Sequence, residues 1–261
     1  MWGAVIGDLA GSIYEFEQIK QVKEINTEEI IPQKAFFSDD TILTMAIAEA
    51  IQTDKDYEKA LKKYGNLYKD YKPDCEPYFQ TIFSPGFSKW CNSNEIGTSA
   101  GNGAMMRISP VGYCFNDENE VKKNAKLATI PSHNSKEAIE YATLTALIIF
   151  YSKQKMSKDE IIRKLNINPK YKPFEKFNYT CSQTFDNCAY ALFNSNSFEE
   201  SIKTVLSFGG DTDTNACIVG SMAEAMYGVS SLLIEKAKAY IPNSFINILK
   251  NEYINLQEIE K

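Results

Sequence analysis

Two short acidic segments carry residues that could do chemistry. The first reads Ser38-Asp39-Asp40-Thr41 and directly precedes an apolar helical pattern that starts at Ile42. The second reads Gly209-Gly210-Asp211-Thr212-Asp213-Thr214-Asn215 and precedes a helical pattern that runs to Tyr227. Acidic and hydroxyl side chains at a helix start commonly cap free amides and favour the helix dipole. Capping therefore explains either segment taken by itself.

The second segment holds more acid than capping needs. Asp211 and Asp213 lie within one turn, and carboxylates so close repel each other unless a positive charge lies among them. Only one histidine, His133, is present, which excludes a multi-histidine zinc site, so any metal ion must have oxygen ligands. Oxygen ligands select hard ions such as Mg²⁺, Mn²⁺ or Ca²⁺. With Ser38 and Thr214, the acids of both segments could hold two such cations.

A glycine-rich segment is the third candidate. Gly101 and Gly103 flank Asn102, with Ser99 ahead of them, and such a loop can turn its backbone amides toward a phosphate. The segment matches neither the P-loop nor the Rossmann pattern, so an ordinary turn also explains it. For Arg107, which follows the loop, we expect a buried ion pair rather than a phosphate contact.

Helical spacing of apolar residues accounts for nearly the whole chain, and strand-like alternation is scarce. The spacing predicts helices near residues 2–13, 42–51, 57–68, 120–129, 138–150, 158–165, 182–193, 198–206, 216–227, 232–239 and 244–255. Segments 71–90 and 92–103 are predicted to be long ordered loops, because they are rich in Pro and aromatic residues or in Gly, Ser and Asn. No repeat or linker divides the sequence, so we expect residues 1–261 to form a single all-α domain.

Composition excludes several classes of protein. A net charge of −6 without a basic face does not fit a nucleic-acid-binding protein. No uncharged run approaches the ~20 residues of a membrane span, and the first residues do not resemble a signal peptide. Six cysteines without a CxxC pair indicate reduced thiols. We expect a cytoplasmic monomer without a stable nucleic-acid or membrane partner.

Six short motifs follow one another along nearly the whole chain. They are Gly3-x3-Gly7-Asp8-x2-Gly11-x3-Glu15, Ser38-Asp39-Asp40-Thr41, Gly86-Phe87-x2-Trp90, Ser99-x-Gly101-Asn102-Gly103-x2-Met106-Arg107-x-Ser109-Pro110-x-Gly112, Ser132-His133-Asn134-x3-Ala138-Ile139 and Gly209-Gly210-Asp211-x-Asp213-Thr214-x-Ala216. In this order they resemble the ADP-ribosylglycohydrolase family. The resemblance implies an orthogonal helical bundle that hydrolyses the link between ADP-ribose and an acceptor.

The resemblance also implies roles for individual residues. Two divalent cations, Mg²⁺ or Mn²⁺, are the implied cofactors, and their implied ligands are Ser38, Asp39, Asp40, Asp211, Asp213 and Thr214. The implied contacts of the diphosphate and adjacent ribose are Ser99, Gly101, Asn102, Gly103 and His133. As a catalytic hypothesis, Asp39 or Asp40 accepts a proton from the attacking water and Glu15 protonates the leaving group. For Asp8 we expect structural hydrogen bonding.

Four positions depart from the usual pattern of the family. Ala100 stands where an aromatic or bulky residue is common, Ala104 where Ser is frequent, Ser135 where many relatives have a second His, and Glu224 where Gly is usual. None of the four is an implied metal ligand. These departures therefore bear on substrate preference rather than on activity.

The expected substrate is an ADP-ribosylated protein or a small ADP-ribose conjugate. N-linked arginine ranks first as the acceptor, and Glu95 is a candidate partner for its guanidinium, although a solvated loop position explains that residue better. Serine O-linked ADP-ribose or O-acetyl-ADP-ribose is the alternative. From another class, a catalytically inactive ADP-ribose-binding or structural relative is disfavoured because all six ligand positions are present. A Ca²⁺ module is disfavoured because Ala216 stands where the EF-hand needs Gly.

Overall fold

The amphipathic segments form helices in the computed structural model, which describes residues 1–15, 29–73 and 81–250. The helices are α1 (Trp2–Gly11), α2 (Asp39–Gln52), α3 (Tyr57–Leu67), α4 (Pro85–Cys91), α5 (Gly103–Met106), α6 (Ser109–Cys114), α7 (Glu118–Thr129), α8 (Lys136–Lys153), α9 (Lys158–Leu165), α10 (Cys181–Phe193), α11 (Phe198–Ser207), α12 (Thr212–Tyr227) and α13 (Ser231–Lys238). The chain is helical again over 243–250, and the rest of the helix expected at 244–255 lies outside the described residues. These residues contain isolated β-bridges but no strand, which confirms the all-α class.

Side-chain caps determine where several helices begin. Asp117 accepts hydrogen bonds from the amides of Asn119 and Glu120, so α7 starts two residues earlier than the apolar spacing predicts. The loop predicted at 71–90 is wrong in its last part, because α4 occupies Pro85–Cys91. There Ser84 accepts a hydrogen bond from Phe87 N at 3.2 Å, and Pro85 occupies the first turn, where a missing N–H costs nothing.

Helix α12 is buried along most of its length and packs against α1, α8, α10 and α11. The buried apolar side chains form one connected core around it. The first residues of α12 include Asp213 and Thr214, so the second acidic segment is placed inside the molecule rather than on its surface.

Three glycines allow α1 and α12 to cross with their backbones in contact. A Cβ atom at Gly7 would lie 2.0 Å from the Ala216 carbonyl oxygen, and one at Gly11 would lie 2.2 Å from the Thr212 carbonyl oxygen. At Gly3 the same construction gives 2.1 Å to the Gly220 carbonyl oxygen. Only glycine fits at such distances. The crossing places the C-terminal end of α1 beside the N-terminal end of α12.

Two of the departures from the family pattern have structural roles. Glu224, on α12, accepts a hydrogen bond from Gly3 N at 2.7 Å and so satisfies an amide in the first turn of α1. Ser135 caps α8 by accepting a hydrogen bond from Ala138 N at 3.1 Å. Neither residue needs a part in catalysis to explain its identity.

Candidate active site

The two acidic segments meet inside the protein. Thr214 donates a hydrogen bond from Oγ1 to Asp40 Oδ2 at 3.2 Å, across 174 positions of sequence. Asp40 Oδ2 also accepts one from Ser38 Oγ at 3.0 Å. The proximity of the two segments, on which the metal hypothesis depends, is therefore observed.

Carboxylates converge where these segments meet. Carboxylate oxygens of Asp8, Asp40 and Asp213 lie within 4.8 Å of one another, and so do those of Glu15, Asp211 and Asp213. Asp213 is common to both groups. We call this region the acidic floor, which consists of Asp8, Glu15, Ser38, Asp39, Asp40, Asp211, Asp213 and Thr214.

The glycine pair ahead of α12 sets the position of Asp211. Gly209 and Gly210 have φ values of 68° and 76°, which glycine adopts without strain. A Cβ at Gly210 would lie 2.2 Å from Asn178 Oδ1, the same atom that accepts a hydrogen bond from Asp211 N at 2.9 Å. Gly210 is required both for its conformation and for this close approach.

Asp8 holds the first acidic segment in place, as expected. Its Oδ2 accepts hydrogen bonds from Ser38 N at 2.9 Å, Thr41 N at 3.1 Å and Thr41 Oγ1 at 2.5 Å. Its Oδ1 is buried and has no donor among the described residues. Sequence reasoning did not place Asp8 among the clustered carboxylates, although its position in the first motif is the signal that could have done so.

Burial and mutual repulsion raise the pKa values of the floor carboxyls. For Asp8, burial and then the charge of Asp213 raise the pKa to about 7. The same two causes raise the pKa of Glu15 to about 10. Burial is also the main cause for Asp39, Asp40 and Asp211, whose pKa values lie well above the usual range. These groups are stable as carboxylates only with positive charge among them.

The donor set of the floor fits a hard divalent cation. All of its ligand atoms are oxygens, which Mg²⁺ and Mn²⁺ prefer. Asp40 Oδ1, like Asp8 Oδ1, is buried without a hydrogen-bond partner among the described residues. A bound cation would offset the repulsion described above. The acidic groups could therefore hold a metal ion.

The glycine-rich loop faces the floor and is tied to it. Asn102 is buried, and its Nδ2 donates a hydrogen bond to Asp211 Oδ2 at 2.6 Å. Ser99 Oγ accepts one from Gly101 N at 3.0 Å. We call Ser99–Gly103 together with His133 the loop wall.

A segment that sequence reasoning missed supports the loop wall. Asn102 N donates to the Tyr179 carbonyl at 2.9 Å, and Cys181 N donates to the Ala100 carbonyl at 3.0 Å. The two stretches are about eighty residues apart in sequence, and no local pattern marks their pairing.

The ion pair expected for Arg107 is wrong for the part of the chain that the structure describes. The guanidinium is 1% exposed, and its Nη2 donates to Ser132 Oγ at 2.7 Å. Its Nε and Nη1 atoms have no partner there. A hydroxyl thus stands where an acid was expected. Burial lowers the pKa of Arg107 to about 10, which leaves it charged at neutral pH.

Floor and wall border one cavity of about 460 Å³. Ten of the residues predicted for the site line it: Glu15, Asp39, Ser99, Gly101, Asn102, Gly103, His133, Asp211, Asp213 and Thr214. Ser38 and Asp40 do not line it and lie buried beneath. The cavity also has aromatic lining that the sequence did not predict, from Phe83, Phe87, Phe177 and Tyr179. Glu95 is exposed and outside the lining, as a solvated loop position predicts.

A comparison with protein-family models matches residues 1–256 to the ADP-ribosylglycohydrolase model. The chain belongs to the ADP-ribosylglycohydrolase family. Among curated relatives, ADP-ribosylhydrolase ARH3 of Homo sapiens is 20% identical, with 88% of this chain and 85% of the relative covered. ADP-ribosylarginine hydrolase Tri1 of Pseudomonas putida is 26% identical over 53% of this chain and 42% of its own length.

A solved structure supports the fold. A chain described as an ADP-ribosylglycohydrolase-related protein complex superposes with a TM-score of 0.68 at 20% identity, covering 98% of this chain and 93% of that one. Family membership confirms the glycosidase-type hydrolase class expected from the motifs. Within the described residues, every helix is too short or too polar to serve as a membrane span.

Proposed function

We propose that this ADP-ribosylglycohydrolase releases ADP-ribose from a modified protein side chain, using two divalent cations, Mg²⁺ or Mn²⁺, on the acidic floor. The observation that carries the proposal is the hydrogen bond between Thr214 Oγ1 and Asp40 Oδ2, which unites the two acidic segments. The cavity beside it, at about 460 Å³, is in the size range of small-molecule sites.

The two sides of the cavity suit the two halves of ADP-ribose. Gly101 and Gly103 have no side chains, so a diphosphate can approach the backbone of the loop wall closely. The proposed metal ligands are Ser38, Asp39, Asp40, Asp211, Asp213 and Thr214. Cations held by them would supply Lewis-acid chemistry next to the reacting ribose.

Burial separates the roles of the two adjacent aspartates. Asp39 lines the cavity, whereas Asp40 is 1% exposed and its Oδ2 is already bonded to Ser38 and Thr214. We therefore assign Asp39 as the group that accepts the proton of the attacking water, and Asp40 as the group that fixes the floor. A general base must reach the proton that it removes, and of these two adjacent aspartates Asp39 is the one that lines the cavity.

Glu15 is the proposed donor to the leaving group. Its carboxyl belongs to the floor and lines the cavity, where the leaving group would depart. As the bond from the anomeric carbon to the acceptor nitrogen breaks, that nitrogen takes the proton of Glu15. The oxygen of water bonds to the same carbon, and its proton passes to Asp39. One water is consumed, and free ADP-ribose and the unmodified acceptor are formed.

N-linked arginine is the proposed acceptor. One relative is named an ADP-ribosylarginine hydrolase, and the carboxylates that line the cavity suit a departing guanidinium. The adenine is proposed to stack on Tyr179, which lines the cavity while its side chain is 59% exposed. In this proposal the ring of Tyr179 takes the place of the aromatic or bulky side chain that is common in the family at position 100, where this chain has Ala.

A substrate panel tests the proposal. Arginine-linked, serine-linked and nucleic-acid-linked ADP-ribose and O-acetyl-ADP-ribose are each incubated with the protein in Mg²⁺, in Mn²⁺ and in excess chelator. We expect fastest release from arginine, and none in chelator. Faster release from serine-linked ADP-ribose would show that serine, and not arginine, is the preferred acceptor. Full activity in chelator would contradict the metal role. Tight binding of ADP-ribose without turnover of any substrate would favour an inactive relative.

A further inference from the structure

Three buried side chains form a small hydrogen-bonded group at the loop wall, and two of them, Arg107 and His133, also line the cavity. Arg107 Nη2 donates to Ser132 Oγ at 2.7 Å, and Ser132 Oγ lies 2.8 Å from His133 Nδ1. Arg107 Nη2 also lies 3.4 Å from the same Nδ1. All three residues are at most 8% exposed.

The donors and acceptors in this group fix the position of one proton. A guanidinium only donates, so Ser132 Oγ accepts from Arg107 and keeps its own O–H to donate. Among the described residues, the acceptor available to that O–H is His133 Nδ1. A proton on Nδ1 would also face the Arg107 N–H. Nδ1 therefore carries the lone pair, and the proton of the neutral ring is on Nε2.

The other nitrogen of the ring faces the loop. A Cβ atom at either Gly101 or Gly103 would lie 3.5 Å from His133 Nε2. His133 lines the cavity, and its Nε2 has no hydrogen-bond partner within the described part of the chain. The segment is held by main-chain bonds from Asn134 N to the Gly97 carbonyl at 2.8 Å and from His133 N to the Thr129 carbonyl at 3.0 Å.

We propose that Arg107 and Ser132 are positioning residues that hold His133 as its neutral Nε2–H tautomer, so that Nε2–H donates a hydrogen bond to a diphosphate oxygen at the loop wall. The choice of a diphosphate rests on the proposed function. The opposite tautomer would turn a lone pair toward the anion and repel it. Burial and the charge of Arg107 lower the pKa of His133 well below its usual value, which is consistent with a neutral ring.

The chain offers an unusually direct test, because His133 is its one histidine. In untagged protein labelled with ¹⁵N-histidine, every imidazole signal belongs to this residue. We expect long-range ¹H–¹⁵N spectra of the ligand-free protein to show an unprotonated Nδ1 and a protonated Nε2 throughout about pH 6–8. A proton on Nδ1, or a doubly protonated ring in this range, would overturn the proposal.

Variants test the part played by the serine. In Ser132→Ala we expect a mixture of tautomers and binding of ADP-ribose weakened in proportion to the lost Nε2–H form, about twofold for an even mixture. The matched control is Ser195→Ala, which removes another fully buried hydroxyl, one bonded to the Ala191 carbonyl and outside the cavity lining. The control should keep the wild-type tautomer and affinity. An unchanged tautomer in Ser132→Ala would contradict the positioning role.

Inorganic diphosphate separates this inference from the proposed function. If ADP-ribose does not bind but diphosphate shifts the Nε2 proton signal, the inference stands and the proposed substrate falls. If neither compound moves that signal, the hydrogen bond to the anion is refuted.

Discussion

The acidic floor and the loop wall border the same cavity but are built in opposite ways. The floor collects buried and half-buried carboxyls near the ends of α1, α2 and α12, and one oxygen each of Asp8 and Asp40 has no hydrogen-bond partner among the described residues. The wall is a glycine-rich loop, and the buried, positively charged Arg107 lines the cavity beside it. The floor therefore requires cations and the wall favours anions. A ligand that spans the two must have an anionic part at one end and hydroxyl groups that can approach cations at the other.

The comparison predicts the largest effect for loss of a floor carboxyl. Asp39→Ala or Asp211→Ala should reduce release of ADP-ribose by at least about 10³-fold, roughly 4 kcal/mol in the barrier. Activity assays and cation titrations measure the effect, and circular dichroism should show an unchanged helical content. The control is Asp54→Ala, an exposed acid paired with Lys59 outside the cavity. If either floor variant retained turnover with metal present, the proposed role of its carboxylate would be contradicted.

The floor depends on the close crossing of α1 and α12, which a single methyl group should disturb. Gly7→Ala should lower the free energy of unfolding by about 1–3 kcal/mol or more, because its Cβ would lie 2.0 Å from a carbonyl oxygen. At this chain length that is a fall in Tm of roughly 2–4 °C per kcal/mol. Thermal denaturation measures it. Gly86→Ala is the matched control, since no atom of another part of the described chain lies within 4 Å of its added Cβ. Equal Tm values for the two variants would argue against a tight crossing.

The charge of the floor also predicts how stability depends on pH. A carboxyl with a raised folded-state pKa stabilises the fold below its unfolded pKa, 3.8 for Asp8 and 4.5 for Glu15. That stability is lost as pH rises through the folded-state values, about 7 for Asp8 and about 10 for Glu15. In chelator, Tm should therefore fall as pH rises from about 5 to 8. Added Mg²⁺ or Mn²⁺ should raise Tm more at the higher pH.

A variant checks the source of this pH dependence. Asp8→Asn removes one titrating carboxyl while retaining an acceptor for Ser38 N and Thr41. It should flatten the fall of Tm in chelator. A cation effect of the same size at both ends of the pH range would mean that the floor carboxyls do not titrate as described.

The smallest expected effect concerns the rim of the wall. Tyr179→Ala should weaken ADP-ribose binding by about tenfold through loss of a stacked ring, with little change in kcat. Tyr179→Phe keeps the ring and should bind as the wild type does. Isothermal titration compares the variants. If both lose affinity equally, the tyrosine acts through its hydroxyl and not by stacking.

The two acidic segments of the floor could be predicted from the sequence because each of them is local, whereas the place of Asp8 among the carboxylates could not. Asp39 and Asp40 lie in one helical turn and Asp211 and Asp213 in another, and capping and charge repulsion act at that range. Apolar spacing predicted the bounds of α9 correctly. Ser157 and Glu160 form a capping box there, so the helix begins at the residue where the apolar spacing begins. The helix α4 was missed because its proline and aromatic residues were interpreted as a loop.

The wall was only partly readable because its supports are distant in sequence. The bond from Asn102 N to the Tyr179 carbonyl follows from the tertiary fold, so neither Tyr179 nor Phe177 could be placed at the cavity beforehand. The same holds for Arg107, whose partner is a hydroxyl from a neighbouring loop and not the expected acid. The sequence made clear that the metal hypothesis requires the two acidic segments to lie close together. Only the structure could show the distance between them.

The crossing at Gly3, Gly7 and Gly11 has a consequence for how this chain tolerates change. Main chain rests directly on main chain there, so no side-chain volume sets the separation of the two helices. Substitutions elsewhere on α1 and α12 can alter the side-chain packing around this crossing without altering the distance between the two helices. The spacing between Asp8 and Asp213 thus rests on a few positions that admit no larger residue.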